Sequence, residues 1–202
     1  MVHQYSHNSF FLVRHGEAEN NALGLVSSVG ARHAYHLTEK GKGQIGETAH
    51  FLLGQHIDFL VASPVLRTQE SAEILASTLR VPLSVDARLA EPRFGMFEDQ
   101  SVRQFLDFMR EHGGRMETLP EMDIEGYEDI RARVASFLED VSTVFSGKNI
   151  VLVSHGDPIQ EMYGELMGVG SAVVEGDTGW YPAKGSCMIV SKEKTEEFIP
   201  KS

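Results

Sequence analysis

Short apolar runs that stop abruptly at polar residues dominate the hydrophobic pattern of this chain. The runs at 10–13, 59–62 and 150–153 contain no polar position, which is typical of strands buried on both faces of a sheet. The apolar run 187–190 predicts a further strand. Between these runs, apolar residues recur at helical spacing and predict amphipathic helices. The helical stripes are Ala72, Leu75, Ala76 and Leu79; Phe105, Phe108 and Met109; Ile130, Val134, Phe137, Leu138, Val141 and Phe145; and Ile159, Met162, Tyr163 and Leu166.

The alternation of strands and helices predicts an α/β sheet that is covered by helices on both faces. No repeat, low-complexity tract or linker rich in proline, glycine and serine divides the chain, so we expect 1–202 to form a single domain. The segment 92–126 is the least regular, because Gly113 and Gly114 end its helical stripe and Pro120 marks a loop. We expect this segment to be a cap inserted into the domain.

Composition excludes several classes of protein. A chain of 202 residues with 42% hydrophobic content is long enough for one well-buried core. Its net charge of −11 disfavours attraction to nucleic acid or to an anionic membrane surface. No apolar stretch approaches the roughly 20 residues that a membrane helix needs, and residues 1–4 do not begin a secretion signal. We therefore expect a soluble, cytoplasmic protein, with its only cysteine, Cys187, as an inert thiol in a strand.

Polar residues that follow three of the predicted strands carry the candidate chemistry. His15 and His155 each follow one strand and precede a glycine, and Arg14 stands directly before the first histidine. Arg67 follows the strand at 59–62, where a predicted helix begins. Because ligands bind at the carboxyl ends of strands in open α/β sheets, we expect these side chains to face one pocket, with the glycines allowing a ligand close to the backbone. Guanidinium groups match phosphate oxygens, so the natural ligand is a phosphoryl group.

A second set of basic residues lies just before and within the predicted cap. These arginines, which precede an acidic stretch, are Arg88, Arg93, Arg103, Arg110 and Arg115. They form either a phosphate-binding island in an acidic molecule or a solvated charged face, and the sequence leaves both interpretations open.

Five motifs together resemble the histidine phosphatase superfamily, which contains the phosphoglycerate mutases and many small-molecule phosphatases. The matching residues are Arg14, His15, Gly16, Glu17 and Asn21; Leu37, Thr38, Gly41 and Gln44; Ser63, Pro64, Arg67, Thr68 and Ala72; Leu89, Glu91 and Gly95; and Ser154, His155 and Gly156. They stand in the family's order and approximate spacing over almost the whole chain. The resemblance implies a phosphoglycerate mutase-like fold, a three-layer αβα sandwich around a mostly parallel sheet with a small cap.

The resemblance also implies a role for each phosphate-site residue. His15 is expected to attack phosphorus through a neutral ring nitrogen and become phosphohistidine. Arg14, Arg67 and His155 are expected to hold the phosphoryl oxygens as charge develops on them, and Gly156 is expected to contribute to the phosphate site. Neither a metal nor another cofactor is implied.

Two further residues complete the implied site. Asn21 matches the family's asparagine and is expected to donate to phosphate or substrate. Glu91 is the candidate general acid and base, since an alkoxide leaving group needs a proton and the later water must lose one. Arg93, if close, is expected to depress the pKa of Glu91. If Glu91 is not the acid, Glu17 and Asp157 are the next candidates.

The function expected from the resemblance is a phosphatase that acts on a small phosphorylated metabolite. The chain looks shorter than the phosphoglycerate mutases, and its cap lacks their extended basic and aromatic loops. A mutase remains the alternative, and a homodimer remains open. Departures from the family pattern at 24–28, at 124–126 and after His155 leave the identity of the substrate undecided.

Two readings from other classes also stay open. His15, Glu17, His155 and Asp157 offer nitrogen and oxygen ligands for a divalent metal, as in a metallohydrolase, although the neighbouring arginines would then face a dication. The second alternative is a phosphate-binding scaffold without turnover. The presence of the catalytic residue types disfavours it.

Overall fold

The structure is a computed structural model that describes residues 5, 7–112, 117–170, 180–192 and 194–201. Its strands are β1 Ser9–Arg14, β2 Phe59–Ala62, β3 Leu83–Val85, β4 Asn149–Ser154, β5 Cys187–Val190 and β6 Thr195–Phe198. Its helices are α1 Glu19–Ala22, α2 Glu39–Leu52, α3 Leu66–Leu79, α4 Val102–Glu111, α5 Tyr127–Val144 and α6 Gly156–Met167. Each strand and each helical stripe anticipated from the hydrophobic pattern is present.

The strands form one sheet in the order β3-β2-β4-β1-β5-β6. β3, β2, β4 and β1 are parallel, while β5 runs antiparallel to β1 and β6 antiparallel to β5. This confirms the mostly parallel sheet. The pattern did not predict β3 and β6, because these edge strands are short and largely exposed and lack a continuous apolar run.

Alternate residues of the central strands face opposite layers, as the period of two in a strand requires. Phe11 and Val13 of β1 pack with α2 and α3 on one face of the sheet. Phe10 and Leu12 pack with α5 and α6 on the other face. The molecule is therefore the three-layer αβα sandwich that the sequence predicted. α5 ends one residue before Phe145, whose ring instead packs on Phe59 with centroids 4.8 Å apart.

The segment 92–126 contains α4 and two short 3-10 helices, at Gly95–Phe97 and Pro120–Met122. Its two ends meet where Phe94 and Ile124 form a β-bridge. Gly95 has a φ of +54°, and a Cβ there would collide with the carbonyl of Met122, so only glycine fits this turn. The predicted helix break at Gly113 and Gly114 lies outside the described residues.

Two further expectations concern membrane-spanning helices and the reactivity of Cys187. In the part of the chain that the structure describes, no helix is both long and apolar enough to cross a membrane. Cys187 is buried in β5, and burial raises the pKa of its thiol, which agrees with an inert packed cysteine.

Candidate active site

His15 and His155 meet at the carboxyl edge of the sheet, with ring centroids 5.1 Å apart. They follow β1 and β4, which are parallel neighbours in register, with Arg14 beside Ser154. Both rings are buried. The sheet topology therefore brings together two residues that are far apart in the sequence.

The His15 ring is held in one orientation by hydrogen bonds to both nitrogens. Nδ1 lies 2.7 Å from the Gly16 carbonyl oxygen, which can only accept, so we assign the proton to Nδ1. Nε2 then keeps a lone pair and accepts from Arg67 Nε at 3.2 Å. Burial, followed by the positive charge of Arg67, holds the pKa of His15 well below its ordinary value of 6.5. The ring is neutral at physiological pH, with the lone pair of Nε2 directed into the site toward Arg67.

Arg67 lies in the first turn of α3 and is almost fully buried. Its Nη2 donates to the Ser27 carbonyl at 2.9 Å and to His155 Nδ1 at 3.0 Å. One guanidinium thus connects both histidines. The sequence did not point to Ser27, because it lies in the stretch where the chain departs from the family pattern.

His155 has the opposite tautomer to His15. Because Nδ1 accepts from Arg67, the proton is on Nε2, which donates to Ser63 Oγ at 2.9 Å. Burial and the charge of Arg67 lower the pKa of His155 as well. The sequence indicated Ser63 only as part of a motif, and the structure shows that its hydroxyl contacts the His155 ring.

Glu91 faces the two histidines from the loop after the 3-10 helix Ala87–Leu89. Its Oε2 lies 3.6 Å from Arg67 Nη2 and 3.5 Å from His155 Nδ1. Its Oε1 is buried and has no hydrogen-bond partner in the described part of the chain. Burial and the negative charge of Asp157 raise the pKa of Glu91 to about 7, against the opposing effect of nearby cations. A carboxyl group in this environment can carry a proton near neutral pH.

Arg133 of α5 fixes the backbone that directly precedes Glu91. It donates to the carbonyls of Arg88 and Ala90, the latter at 2.7 Å, and its Nε donates to Glu125 Oε1 at 2.7 Å. The loop that carries Glu91 is thereby tied to a helix of the sheet domain.

Arg93 does not act on Glu91 as expected. Its side chain is about half exposed and pairs with Asp123 at 2.8 Å. The pKa of Glu91 rises instead of falling, because burial and Asp157 outweigh the cations in the site. The expectation for Arg93 applied only if its side chain lay close to Glu91, and the side chain is instead half exposed and paired with Asp123.

Arg14 lies against an aromatic ring at the edge of the site. Its guanidinium carbon is 4.7 Å from the centre of the Tyr181 ring, and its Nη1 donates to the Pro182 carbonyl at 2.6 Å. Its Nε is buried, and none of the described residues accepts a hydrogen bond from it. Tyr181 in turn donates to Asp157 Oδ1 at 3.0 Å.

The glycines beside the histidines serve close packing within the protein. A Cβ on Gly156, the first residue of α6, would collide with the Tyr181 ring, and a Cβ on Gly16 would collide with the backbone of Gly41. The sequence predicts that these glycines let a ligand approach the backbone. In the structure, Gly41 and Tyr181 occupy the space beside them.

Lys184 and Tyr181 reach the site from the loop before β5 and were not found from the sequence. Burial and the charge of Arg14 lower the pKa of Lys184. This loop has no motif, and it reaches the site only because β5 is antiparallel to β1, which places the start of β5 beside the end of β1. An aromatic and a basic residue directly before a predicted strand were the available signal.

Asn21 lies at the mouth of the site and caps a helix. Its Oδ1 accepts from the Ala18 backbone N–H at 3.1 Å, at the start of α1. Its neighbour Asn20 is buried and donates to the Leu25 carbonyl at 3.1 Å. Asn21 is therefore the less buried asparagine of the two.

A cavity of about 530 Å³ opens at this edge of the sheet. Its lining combines charged groups with apolar side chains of the segment 92–126. The lining residues are Arg14, Asn20, Asn21, Gly24, Val26, Ser27, Glu91, Phe94, Val102, Phe105, Leu106, Met109, Tyr127, Asp157, Tyr181 and Lys184.

The arginines of the proposed basic island do not line this cavity. Their partners are acidic side chains: Arg88 pairs with Asp86 and Asp140, Arg93 with Asp123, and Arg103 and Arg110 with Asp107. Arg115 lies outside the described residues. For the four that are described, the charged-face interpretation is the one the structure supports.

A metal ion would meet a cation at the centre of the site. His15, Glu91 and His155 place ligand atoms within 4.8 Å of one another. Arg67 already donates to both rings and lies 3.6 Å from Glu91, so a dication between these residues would face a buried guanidinium. Glu17, which the metal hypothesis used, pairs instead with Lys40 at 3.1 Å. The donor set does not fit a resident metal.

The chain is similar over most of its length to proteins of one family. The family model of the histidine phosphatase superfamily (branch 1) matches residues 10–180. The chain is 30% identical over 162 residues to phosphoserine phosphatase 1 of Hydrogenobacter thermophilus, covering 78% of this chain and 75% of that protein. It is 27% identical over 160 residues to the 2,3-bisphosphoglycerate-dependent phosphoglycerate mutase of Thermoplasma acidophilum, covering 79% and 76%.

A solved structure shares the fold. Bacillus stearothermophilus YhfR matches with a TM-score of 0.78 at 19% identity, covering 95% of this chain and 96% of that one. The fold, the order of the motifs and the family match over residues 10–180 agree. The chain belongs to the histidine phosphatase superfamily.

Proposed function

We propose that the protein is a phosphatase that hydrolyses a small phosphomonoester through a phosphohistidine at His15. The observation that carries this proposal is the His15 ring, neutral, buried and oriented so that Nε2 presents its lone pair beside Arg67. A neutral imidazole nitrogen is a nucleophile, whereas imidazolium is not. The family membership and the relative named phosphoserine phosphatase 1 support the same reaction class.

In the first step, His15 Nε2 forms a bond to phosphorus as the ester P–O bond breaks. Arg14 and Arg67 donate to the phosphoryl oxygens, with Asn21 and the backbone at Gly156 beside them, and His155 joins them by taking up a proton at Nδ1, which the anionic phosphoryl group favours. The buried Nε of Arg14 has no hydrogen-bond partner among the residues that the structure describes and is available to a ligand oxygen. Preorganised donors in a buried site stabilise the charge that develops during transfer.

Glu91 supplies the proton for the leaving oxygen and accepts one from water in the second step. Its raised pKa allows the protonated form near neutral pH, which an acid for an alkoxide requires. After the alcohol departs, water loses a proton to Glu91 and attacks phosphorus. The P–N bond then breaks, which releases phosphate and restores neutral His15.

The segment 92–126 is part of the proposal as the element that shapes specificity within a single domain. Phe94, Val102 and Phe105 of this segment line the cavity beside the charged residues. The alcohol portion of a bound monoester would therefore contact this segment, while the phosphoryl group contacts the sheet edge.

A phosphoenzyme experiment tests the covalent step. Brief incubation with a ³²P-labelled monoester should give acid-labile, base-stable label on His15, and His15→Ala should abolish both label and turnover. His50→Ala is the matched control, since His50 is an exposed histidine of α2 outside the cavity. Near-wild-type turnover in His15→Ala would exclude the covalent mechanism.

A mutase is the second candidate, because a relative of similar identity is named as one. A mutase must retain the phosphoryl group and hold a second acidic group of its substrate. Incubation with 3-phosphoglycerate, with and without a bisphosphorylated primer, separates the two activities. We expect net phosphate release without primer; rapid isomerisation with little release would favour the mutase.

A further inference from the structure

The cavity has a charged end and an apolar wall. Arg14 and Lys184 are the basic residues among the described lining, and Glu91 and Asp157 are its acidic residues. The lining residues that form the apolar wall are Val26, Phe94, Val102, Phe105, Leu106 and Met109. A volume of about 530 Å³ leaves room for an organic group besides the phosphoryl group.

α4 supplies most of the apolar wall because it is amphipathic. Val102, Phe105, Leu106 and Met109 stand at i, i+3, i+4 and i+7 and so share one face of the helix. Phe105 is fixed by an edge-to-face contact with Phe94, with ring centroids 5.0 Å apart. Val102 and Leu106 remain 38% and 46% exposed, although they are apolar. The wall therefore presents apolar surface that a ligand in the cavity would cover.

The charged face of α4 does not complement a second anionic group in the cavity. Asp107 pairs with Arg110 at 2.6 Å and with Arg103 at 3.8 Å. Both arginines line a neighbouring surface groove that shares Gly24, Val102 and Leu106 with the cavity, and neither is among the described residues that line the cavity itself. Within the described lining, a carboxylate on the alcohol portion of a substrate would face apolar side chains, and its desolvation would be energetically unfavourable.

We propose that the apolar wall is the binding site for the alcohol portion of the substrate, and that the protein prefers phosphomonoesters of bulky, uncharged apolar alcohols over those that carry a carboxylate. The inference rests on the proposed phosphatase function and names its substrate class. Arg14, Asn21 and Glu91 of the phosphoryl site line the same cavity as the wall, so a single ligand can contact both.

Three primary alkyl esters test the preference without a difference in leaving-group type: 3-phenylpropyl phosphate, ethyl phosphate and 3-phosphoglycerate. We expect kcat/KM for 3-phenylpropyl phosphate to exceed that for each of the other two about tenfold or more, since a filled apolar pocket discriminates by that order. Equal values, or a preference for 3-phosphoglycerate, would overturn the inference.

A substitution at the cavity mouth provides the second arm. Leu106→Lys should lower kcat/KM for 3-phenylpropyl phosphate about tenfold and raise it for 3-phosphoglycerate, which gains a cation for its carboxylate. Leu53→Lys is the matched control, because Leu53 is similarly exposed at the end of α2. Val102→Lys repeats the test if the first variant is unstable. The inference would be contradicted if the ratio of kcat/KM for 3-phenylpropyl phosphate to kcat/KM for 3-phosphoglycerate were the same as in wild type for both wall variants.

The outcomes separate the inference from the proposed function. Labelled His15 with a flat or reversed ester preference leaves the phosphatase intact and removes the apolar subsite. No label and no phosphate release from any of the three esters would remove both.

Discussion

Arg67 and His15 are joined by a hydrogen bond of 3.2 Å from Nε of the guanidinium to Nε2 of the ring. The same guanidinium donates to His155 at 3.0 Å and to the Ser27 carbonyl at 2.9 Å. A group fixed by three partners is oriented before substrate arrives, and such preorganisation lowers the cost of stabilising a transition state.

Arg67→Ala should therefore reduce turnover by roughly 10² or more, and Arg67→Lys should restore it only in part, because an ammonium group lacks the planar fork. Arg14→Ala should show a loss of similar order. Steady-state kinetics measures these effects, and thermal unfolding of each variant checks that it is folded. Losses below tenfold for both alanine variants in folded protein would remove the proposed phosphate cradle.

Glu91→Gln should slow alkyl monoesters much more than p-nitrophenyl phosphate. An alkoxide needs a proton as it leaves, whereas a stabilised phenolate does not. Burst kinetics should be used to measure phosphoenzyme formation directly, so that slow dephosphorylation of His15 does not mask the difference. If that step slows equally for both substrates, Glu91 is not the leaving-group acid, and Asp157 becomes the next candidate because Glu17 is paired with Lys40.

The stability of Glu91→Gln relative to wild type should rise with pH. The folded state holds the Glu91 proton up to a pKa of about 7, above the ordinary value of 4.5. The stability linked to this proton is fully present below about pH 4.5 and is lost as pH rises through about 7. Glutamine does not ionise and avoids this loss. Thermal unfolding of both proteins at pH 5 and pH 8 measures the difference.

Glu17→Gln provides a control of opposite sign for the pH experiment. The hydrogen bond from Lys40 lowers the pKa of Glu17, so its carboxylate stabilises the fold above that pKa and loses this effect as pH falls. The stability of Glu17→Gln relative to wild type should therefore fall as pH rises toward about 4.5 and stay level between pH 5 and pH 8, where wild type already holds the full contribution. The same pH trend in both variants would contradict the environment described for Glu91.

Arg133→Met should slow alkyl monoesters about tenfold and p-nitrophenyl phosphate less, because it releases the backbone that positions Glu91. Arg131→Met is the matched control: Arg131 is an equally buried arginine of α5 that binds Glu161 and Glu165, away from Glu91. A merely structural role for Arg133 would slow both substrate types equally. The ratio of the rate with alkyl monoesters to the rate with p-nitrophenyl phosphate, compared between Arg133→Met and Arg131→Met, decides between these roles.

The sequence by itself determined the fold class and the central residues of the site. Continuous apolar runs of four residues that end at polar residues favour strands buried on both faces, which is why β1, β2 and β4 were predicted with bounds close to those observed. His15, His155 and Arg67 directly follow or begin such elements, so local sequence was enough to place them at the carboxyl edge.

Only the tertiary structure decided the residues that lie near the site through topology. Tyr181 and Lys184 reach it because β5 runs antiparallel to β1, and no local pattern encodes the direction of a neighbouring strand. Charge environment is likewise a property of the folded chain: Arg93, near Glu91 in sequence, points to solvent, while Asp157, distant in sequence, raises the pKa of Glu91. Burial and distance set these effects, and both arise only when the layers pack together.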